Sequence, residues 1–143
     1  MEPILASLEP SIIIIIDGNS YFNYLIDRYA DRVGCSVKVA ASSESVETIQ
    51  KFKPVTVVFA SVENLGESQS LVVELNNRDI PIIVCSPVAD QDHARELGAD
   101  YCLLHPLMYD GFSTVLRTVM SRGKHRMDTV QMNPEQYTRA GQV

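Results

Sequence analysis

Most of the chain consists of five short apolar segments, each followed by an amphipathic segment. The apolar segments are rich in valine and isoleucine, and they cover residues 12–16, 36–41, 55–62, 80–85 and 101–104. Short β-branched segments that are apolar on both faces are typical of strands buried in a parallel sheet. We therefore predict five strands.

Between these segments, hydrophobic residues recur at helical spacing and end at glycine, proline or a polar turn. The first predicted helix carries Phe22, Leu25, Ile26, Tyr29 and Val33 before Gly34, and the second carries Val46, Ile49 and Phe52 before Pro54, with Ser43 or Ser45 as N-cap. The third carries Leu71, Val72 and Leu75 before a turn at 76–79, and the fourth is a short stretch over 90–97 before Gly98. The fifth carries Phe112, Val115, Leu116 and Val119 before Gly123. Strict alternation of strand and helix predicts an α/β fold, a doubly wound (βα)5 parallel sheet with helices on both faces.

Composition and charge narrow the possible functions. The chain has 143 residues and a net charge of −6, which fits one acidic domain and argues against general nucleic-acid binding. No apolar run approaches the ~18 residues of a membrane span, and the N-terminus lacks the basic region of a signal peptide. The three cysteines have no metal-ligand spacing, so we expect buried thiols in a reducing cytoplasm and no metal site. We divide the chain into an N-terminal extension (1–10), one domain (11–121) and a polar tail or linker (122–143).

The most apolar segment ends in an acid, since Ile16 is followed by Asp17, Gly18 and Asn19. Sites in open parallel sheets form at the carboxyl ends of the strands, where the strand order reverses. Asp17 is therefore predicted at a functional edge of the sheet. A helix N-cap or a turn acid is an equally good interpretation of this residue taken alone.

Three stretches resemble the receiver domain of two-component response regulators, the aspartate-phosphorylated signalling module. They read IIIIIDGN, KPVTVVFAS, and IPIIVCSP followed by ELGADYCLLHP, and the resemblance covers about residues 11–121. It implies the flavodoxin-like strand order 2-1-3-4-5. It also implies a role in phosphorelay signal transduction, through contacts with a kinase, an output domain or a second copy.

The resemblance also implies that the phosphorylation site is mostly missing. The family holds magnesium with two adjacent acids after the first strand, and here only Asp17 remains because the second position is Gly18. The phosphoacceptor position is Ala60, which has no nucleophile. Glu63 lies nearby in a predicted loop, but it cannot take the place of Ala60 without a change of register.

The remaining positions of the family's site are altered to different degrees. The hydroxyl at the end of the fourth strand is kept as Ser86, and the lysine before the proline has become His105. His105 could pair with Asp17 across the cleft, or it could simply be packed before a turn. The aromatic switch position is Cys102, and Tyr101 should point to the opposite face of its strand. Residues 86–98 are shortened, so we expect a small fourth helix.

The leading hypothesis is a degenerate receiver, or pseudo-receiver. It would be a non-enzymatic interaction module without a cofactor. It would bind a protein partner through the fourth helix, fifth strand and fifth helix, and a homodimer is one form of this contact. One alternative is a flavodoxin-like domain that binds a small molecule at the same strand ends, although Asp17 would repel a phosphate. Another is a receiver whose phosphoacceptor chemistry has moved to a different residue.

Overall fold

The computed structural model describes residues 11–123 and forms five strands and six α-helices over that range. In chain order they are β1 (Ser11–Ile16), α1 (Ser20–Arg32), β2 (Cys35–Ala40), α2 (Ser45–Phe52), β3 (Thr56–Phe59), α3 (Val62–Glu67), α4 (Gln69–Asn77), β4 (Ile82–Ser86), α5 (Gln91–Glu96), β5 (Tyr101–Leu104) and α6 (Tyr109–Arg122). Short 3₁₀ turns at Ser42–Glu44 and Val88–Asp90 precede α2 and α5. The proposed extension at 1–10 and most of the proposed tail lie outside the described residues.

All strands of the sheet are parallel, in the order β2-β1-β3-β4-β5. This confirms the predicted doubly wound α/β fold with strand order 2-1-3-4-5. The order reverses after β1, because β2 lies on one side of β1 and β3 on the other. A crevice is expected between the carboxyl ends of β1 and β3 in such a sheet.

Two apolar layers hold the helices against the sheet. On one face, alternate strand residues such as Ile14 and Phe59 pack with side chains of α2, α3, α4 and α5. On the other face, Ile13, Ile15 and Val58 pack with side chains of α1 and α6. Both faces of the central strands are dry, which explains why their sequences are continuous apolar runs rather than alternating ones.

The third predicted strand is shorter than its sequence suggested. The valine-rich run at 55–62 forms a strand only as far as Phe59, and Val62 begins α3. The loop predicted after this strand is also wrong, because the residues there form α3. Ser61 caps this helix by accepting a hydrogen bond from the Asn64 N–H at 3.0 Å. Glu63 is therefore an exposed residue in the first turn of a helix, where a negative charge is favourable.

The second predicted helix is also corrected at its start. Neither predicted serine acts as an N-cap, because the chain enters α2 through a 3₁₀ turn. Ser45 is instead fully buried, and its hydroxyl donates to the Ala41 carbonyl at 2.8 Å, whereas Val46 is 41% exposed. The predicted fourth helix corresponds to α5, because the structure contains the additional helix α3. Its expected small size is confirmed, since α5 has only six residues. No helix within residues 11–123 is long and apolar enough to cross a membrane.

Candidate functional site

The carboxyl edge of the sheet brings the predicted site positions into one row. Asp17 follows β1, Ala60 follows β3, Ser86 ends β4 and His105 follows β5. The parallel register keeps these strand ends level, because Ile16 pairs with Phe59, Phe59 with Val84, and Ser86 with Leu104. The sequence therefore placed these residues at the correct edge.

Ala60 lies at the centre of this row and is partly buried. Its methyl group packs against the apolar layer that also contains Val58 and Cys85. An alanine side chain can neither attack a phosphoryl group nor coordinate a cation. The side chain that follows β3 is therefore chemically inert.

Asp17 points away from the row, toward the end of β2. Its backbone is in the left-handed region (φ 54°), and its N–H donates to the Ala40 carbonyl at 3.0 Å. One carboxylate oxygen accepts from the Ser42 N–H at 3.2 Å, and the other accepts from the Ser42 hydroxyl. The carboxylate thus satisfies an orphan donor at the start of the 3₁₀ turn.

The suggested pairing of Asp17 with His105 is wrong. Within residues 11–123 no ion pair joins the two side chains, and His105 is exposed beside a cis peptide bond to Pro106. The N-cap alternative for Asp17 is also wrong, because Asn19 caps α1 by accepting from the Phe22 N–H at 2.8 Å. The turn interpretation is correct in part, since Asp17 stabilises a turn after β2 rather than its own.

Ser42 and Ser68 extend this contact across the carboxyl edge. Their hydroxyl oxygens are 3.5 Å apart, and Ser68 is a buried residue at the junction of α3 and α4. Sequence reasoning missed both serines, because neither belongs to a catalytic pattern. The available signal was the polar run after β2, where several serines follow Ala41.

Asn23 closes the turn between β1 and α1. Its amide nitrogen donates to the Gly18 carbonyl at 3.0 Å, and its amide oxygen is buried without a hydrogen-bond partner among the described residues. This residue was also missed, because a single asparagine one turn into a helix carries no signal by itself. Its position against Gly18 makes it part of the site.

Ser86 is fully buried at the end of β4, on the face of the sheet that carries α5. Its hydroxyl lies near enough to the Cys102 thiol to lower the thiol pKa, but within residues 11–123 it makes no hydrogen bond of ordinary geometry. Burial is the dominant influence and raises the pKa of Cys102 from 9.0 to about 11. Arg95 lowers this pKa to a smaller extent, and Cys85 raises it. Because the resulting pKa is about 11, the thiol is protonated at neutral pH.

Tyr101 and Cys102 face opposite sides of β5, as predicted. Tyr101 belongs to the layer under α1 and α6, and its hydroxyl donates to the Gly123 carbonyl at 2.8 Å. Cys102 packs against the other layer. The aromatic ring is therefore held at the end of α6 and does not reach the face near Ser86.

The described part of the chain has no cluster of three or more histidine, cysteine or acidic side chains that could hold a metal ion. This agrees with the geometry of the carboxyl edge. One carboxylate is committed to Ser42, and its neighbours in the row are Ala60, Ser86 and the exposed His105. Asp17 is therefore the one carboxylate of this row that could bind Mg²⁺, and it already accepts two hydrogen bonds from Ser42.

Solved structures of response regulator receiver domains share this fold. A response regulator receiver domain protein from Clostridium thermocellum is 19% identical, with 80% of this chain and 97% of that chain covered and a TM-score of 0.61. A response regulator from Thermotoga maritima is also 19% identical, with 78% and 98% covered and a TM-score of 0.67. A putative response regulator from Chloroflexus aurantiacus J-10-fl is 14% identical, with 80% and 100% covered and a TM-score of 0.66.

No protein-family model matches this sequence, and no curated protein matches it. Identities of 14–19% establish a common fold and not a common activity. The chain therefore has the receiver-domain fold of response regulators.

Proposed function

We propose that this chain is a pseudo-receiver, a phosphorylation-independent signalling or interaction module built on the receiver fold. It acts in the cytoplasm, has no enzymatic activity of its own, and binds a protein partner. The partner is a kinase, an output domain or a second copy of the chain. This proposal rests on the shared fold, and on the residues that stand at the carboxyl edge of the sheet.

The single observation that carries the proposal is the chemistry of that edge. Formation of an acyl phosphate needs a carboxylate nucleophile and a divalent cation that neutralises the developing charge. Ala60 supplies no nucleophile, and the carboxylate of Asp17 is bound to Ser42. A module with this edge has to signal by binding a partner rather than by accepting a phosphoryl group.

Exposed side chains on α5, β5 and α6 support the proposed docking face. Leu104 on the edge strand β5 is 52% exposed, and Met120 on α6 is 50% exposed. Arg117 is an exposed residue of α6. Large apolar side chains combined with arginine are common at protein interfaces. With Cys102 at the switch position, this face lacks an aromatic lever, and we expect it to bind constitutively.

Titration of a purified partner against surface variants tests the proposal. We expect Arg117→Glu to weaken binding roughly tenfold or more, because reversal of a charge within an interface adds repulsion. Lys51→Glu is the matched control, since Lys51 is an exposed cation on α2, which packs on the face of the sheet opposite to α6. A homodimer would be detected by sedimentation of the wild-type chain and of the same two variants.

Substitutions at the carboxyl edge of the sheet complete this test. Asp17→Asn and His105→Ala should leave the affinity for the partner unchanged. If either abolishes binding while Arg117→Glu has no effect, the carboxyl edge is a ligand or control site, and the constitutive docking face is wrong.

A further inference from the structure

The turn between β1 and α1 is closed from inside by Asn23. The Asn23 amide nitrogen donates to the Gly18 carbonyl at 3.0 Å, and its amide oxygen occupies the place where a side chain of residue 18 would begin. That oxygen is buried and has no hydrogen-bond partner among the described residues. A buried amide oxygen normally accepts a hydrogen bond. Since this one has none among residues 11–123, the recorded contact that orients the amide is the hydrogen bond from its nitrogen to the Gly18 carbonyl.

The space beside Gly18 is fully occupied. A Cβ atom built on Gly18 would lie 2.2 Å from the Asn23 amide oxygen and 2.8 Å from Cγ2 of Ile15, both far inside contact distance. It would also lie 3.1 Å from the Phe22 ring. Any side chain at position 18 must therefore displace its neighbours. Gly111 on α6 is the opposite case, since an added Cβ there meets nothing within 4 Å.

We infer that Gly18 and Asn23 form a coupled pair that seals the carboxyl edge against divalent cations. This inference rests on the proposed function and adds a physical barrier to the chemical one. The position where a second metal-binding acid would stand is filled by the Asn23 side chain. Restoring acids at positions 18 and 60 would therefore not restore a cation site while Asn23 remains.

The orientation of Asp17 acts in the same direction. Its carboxylate is held by the backbone and hydroxyl of Ser42, next to the sealed position. A cation that binds this carboxylate would have to share its oxygens with the two Ser42 donors and would also have to displace Asn23. The turn at 17–19 is thus fixed by contacts on both sides, one to β2 and one to α1.

A double-mutant cycle on stability tests the coupling. We expect Gly18→Ala to lower the urea midpoint of unfolding, and Asn23→Ala in the same chain to recover part of the loss. Recovery is partial because Ile15 also obstructs the site. Gly111→Ala is the matched control, and it should raise the midpoint slightly and be additive with Asn23→Ala. The inference is wrong if Gly18→Ala is tolerated as well as Gly111→Ala, or if its effect is additive with Asn23→Ala.

Binding of Mn²⁺ alone, measured by calorimetry, tests the functional part. In a chain carrying Ala60→Asp and Gly18→Asp, affinity should stay as weak as in the wild type. Adding Asn23→Ala should tighten it roughly tenfold or more, because the two introduced carboxylates can then share the ion. Equal affinity with and without Asn23→Ala would overturn the seal. Phosphorylation of the wild-type chain would overturn the proposed function instead, and it would leave the stability cycle unaffected.

Discussion

Asp17→Asn tests how much the contact between Asp17 and Ser42 stabilises the carboxyl edge of the sheet. The Asp17 carboxylate accepts two hydrogen bonds from Ser42 and ties the end of β1 to the 3₁₀ turn after β2. An asparagine side chain keeps one oxygen, replaces the other by an amide donor and removes the charge. Asparagine also adopts the left-handed backbone as readily as aspartate, so the φ of 54° adds no strain.

The expected cost follows from these contacts. A hydrogen bond contributes about 1 kcal/mol to stability, and more when it involves a charge. Asp17 is exposed, so solvent weakens the charged component. We therefore expect Asp17→Asn to lower the free energy of unfolding by about 1 kcal/mol. The urea midpoint should fall by roughly 0.5 M, given the usual slope for a domain of this size.

Urea unfolding followed by far-ultraviolet circular dichroism is the appropriate assay, because the chain has no tryptophan. Asp79→Asn is the matched control, since Asp79 is also exposed and left-handed (φ 59°), and its carboxylate makes no hydrogen bond among the described residues. The control should change stability by less than about 0.5 kcal/mol.

Ser42→Ala completes the cycle. It removes one donor, and the double variant Asp17→Asn/Ser42→Ala should lose less than the sum of the two single losses. If Asp17→Asn costs no more than Asp79→Asn, or if the two substitutions at the contact are strictly additive, the hydrogen bonds to Ser42 do not stabilise the fold.

Three further predictions concern the interior and the opposite face. Ser86→Ala should leave stability unchanged or raise it by up to about 1 kcal/mol in the same assay, because the buried hydroxyl makes no hydrogen bond of ordinary geometry within residues 11–123. Burial raises the pKa of the Cys102 thiol from 9.0 to about 11. The unfolded chain therefore loses this proton first, so stability should fall as the pH rises from about 9 to about 11. Cys102→Ala should reduce the fall. Arg32→Ala should cost about 0.5–1 kcal/mol on urea unfolding, because its guanidinium lies 3.8 Å from the centroid of the Tyr109 ring.

The fold was largely predictable because its strands are encoded by local composition. Isoleucine and valine runs of strand length, separated by amphipathic segments, leave few alternatives to a parallel sheet. The misplaced boundary at Val62 has a local cause, since a valine after a strand of valines continues the apolar run. The capping hydrogen bond from Asn64 to Ser61 was the competing signal, a polar pair three residues apart.

The second helix shows a different limit. Its eight residues contain too few turns to determine which side faces the core. The prediction therefore placed Val46 in the core, whereas the structure buries the adjacent Ser45. The buried site goes to Ser45 because its hydroxyl is satisfied by the Ala41 carbonyl. A pattern of hydrophobic residues cannot reveal a serine whose polar atom is already paired.

The positions of the candidate site residues were predictable, and their contacts were not. Strand order and register place Asp17, Ala60, Ser86 and His105 on one edge, and each follows from a strand end. The direction of the Asp17 side chain depends on a left-handed backbone and on a serine 25 residues away. Neither is visible in local patterning, and the packing of Asn23 against Gly18 is equally a property of the folded chain.

Incubation of the wild-type chain with acetyl phosphate and Mg²⁺, followed by intact-mass spectrometry, tests the central claim most directly. The control is a receiver domain that retains its acceptor aspartate, treated in parallel. We predict that the control gains a phosphoryl group, and that the chain described here keeps its mass because Ala60 offers no nucleophile. Stoichiometric addition of a phosphoryl group to this chain would contradict the account.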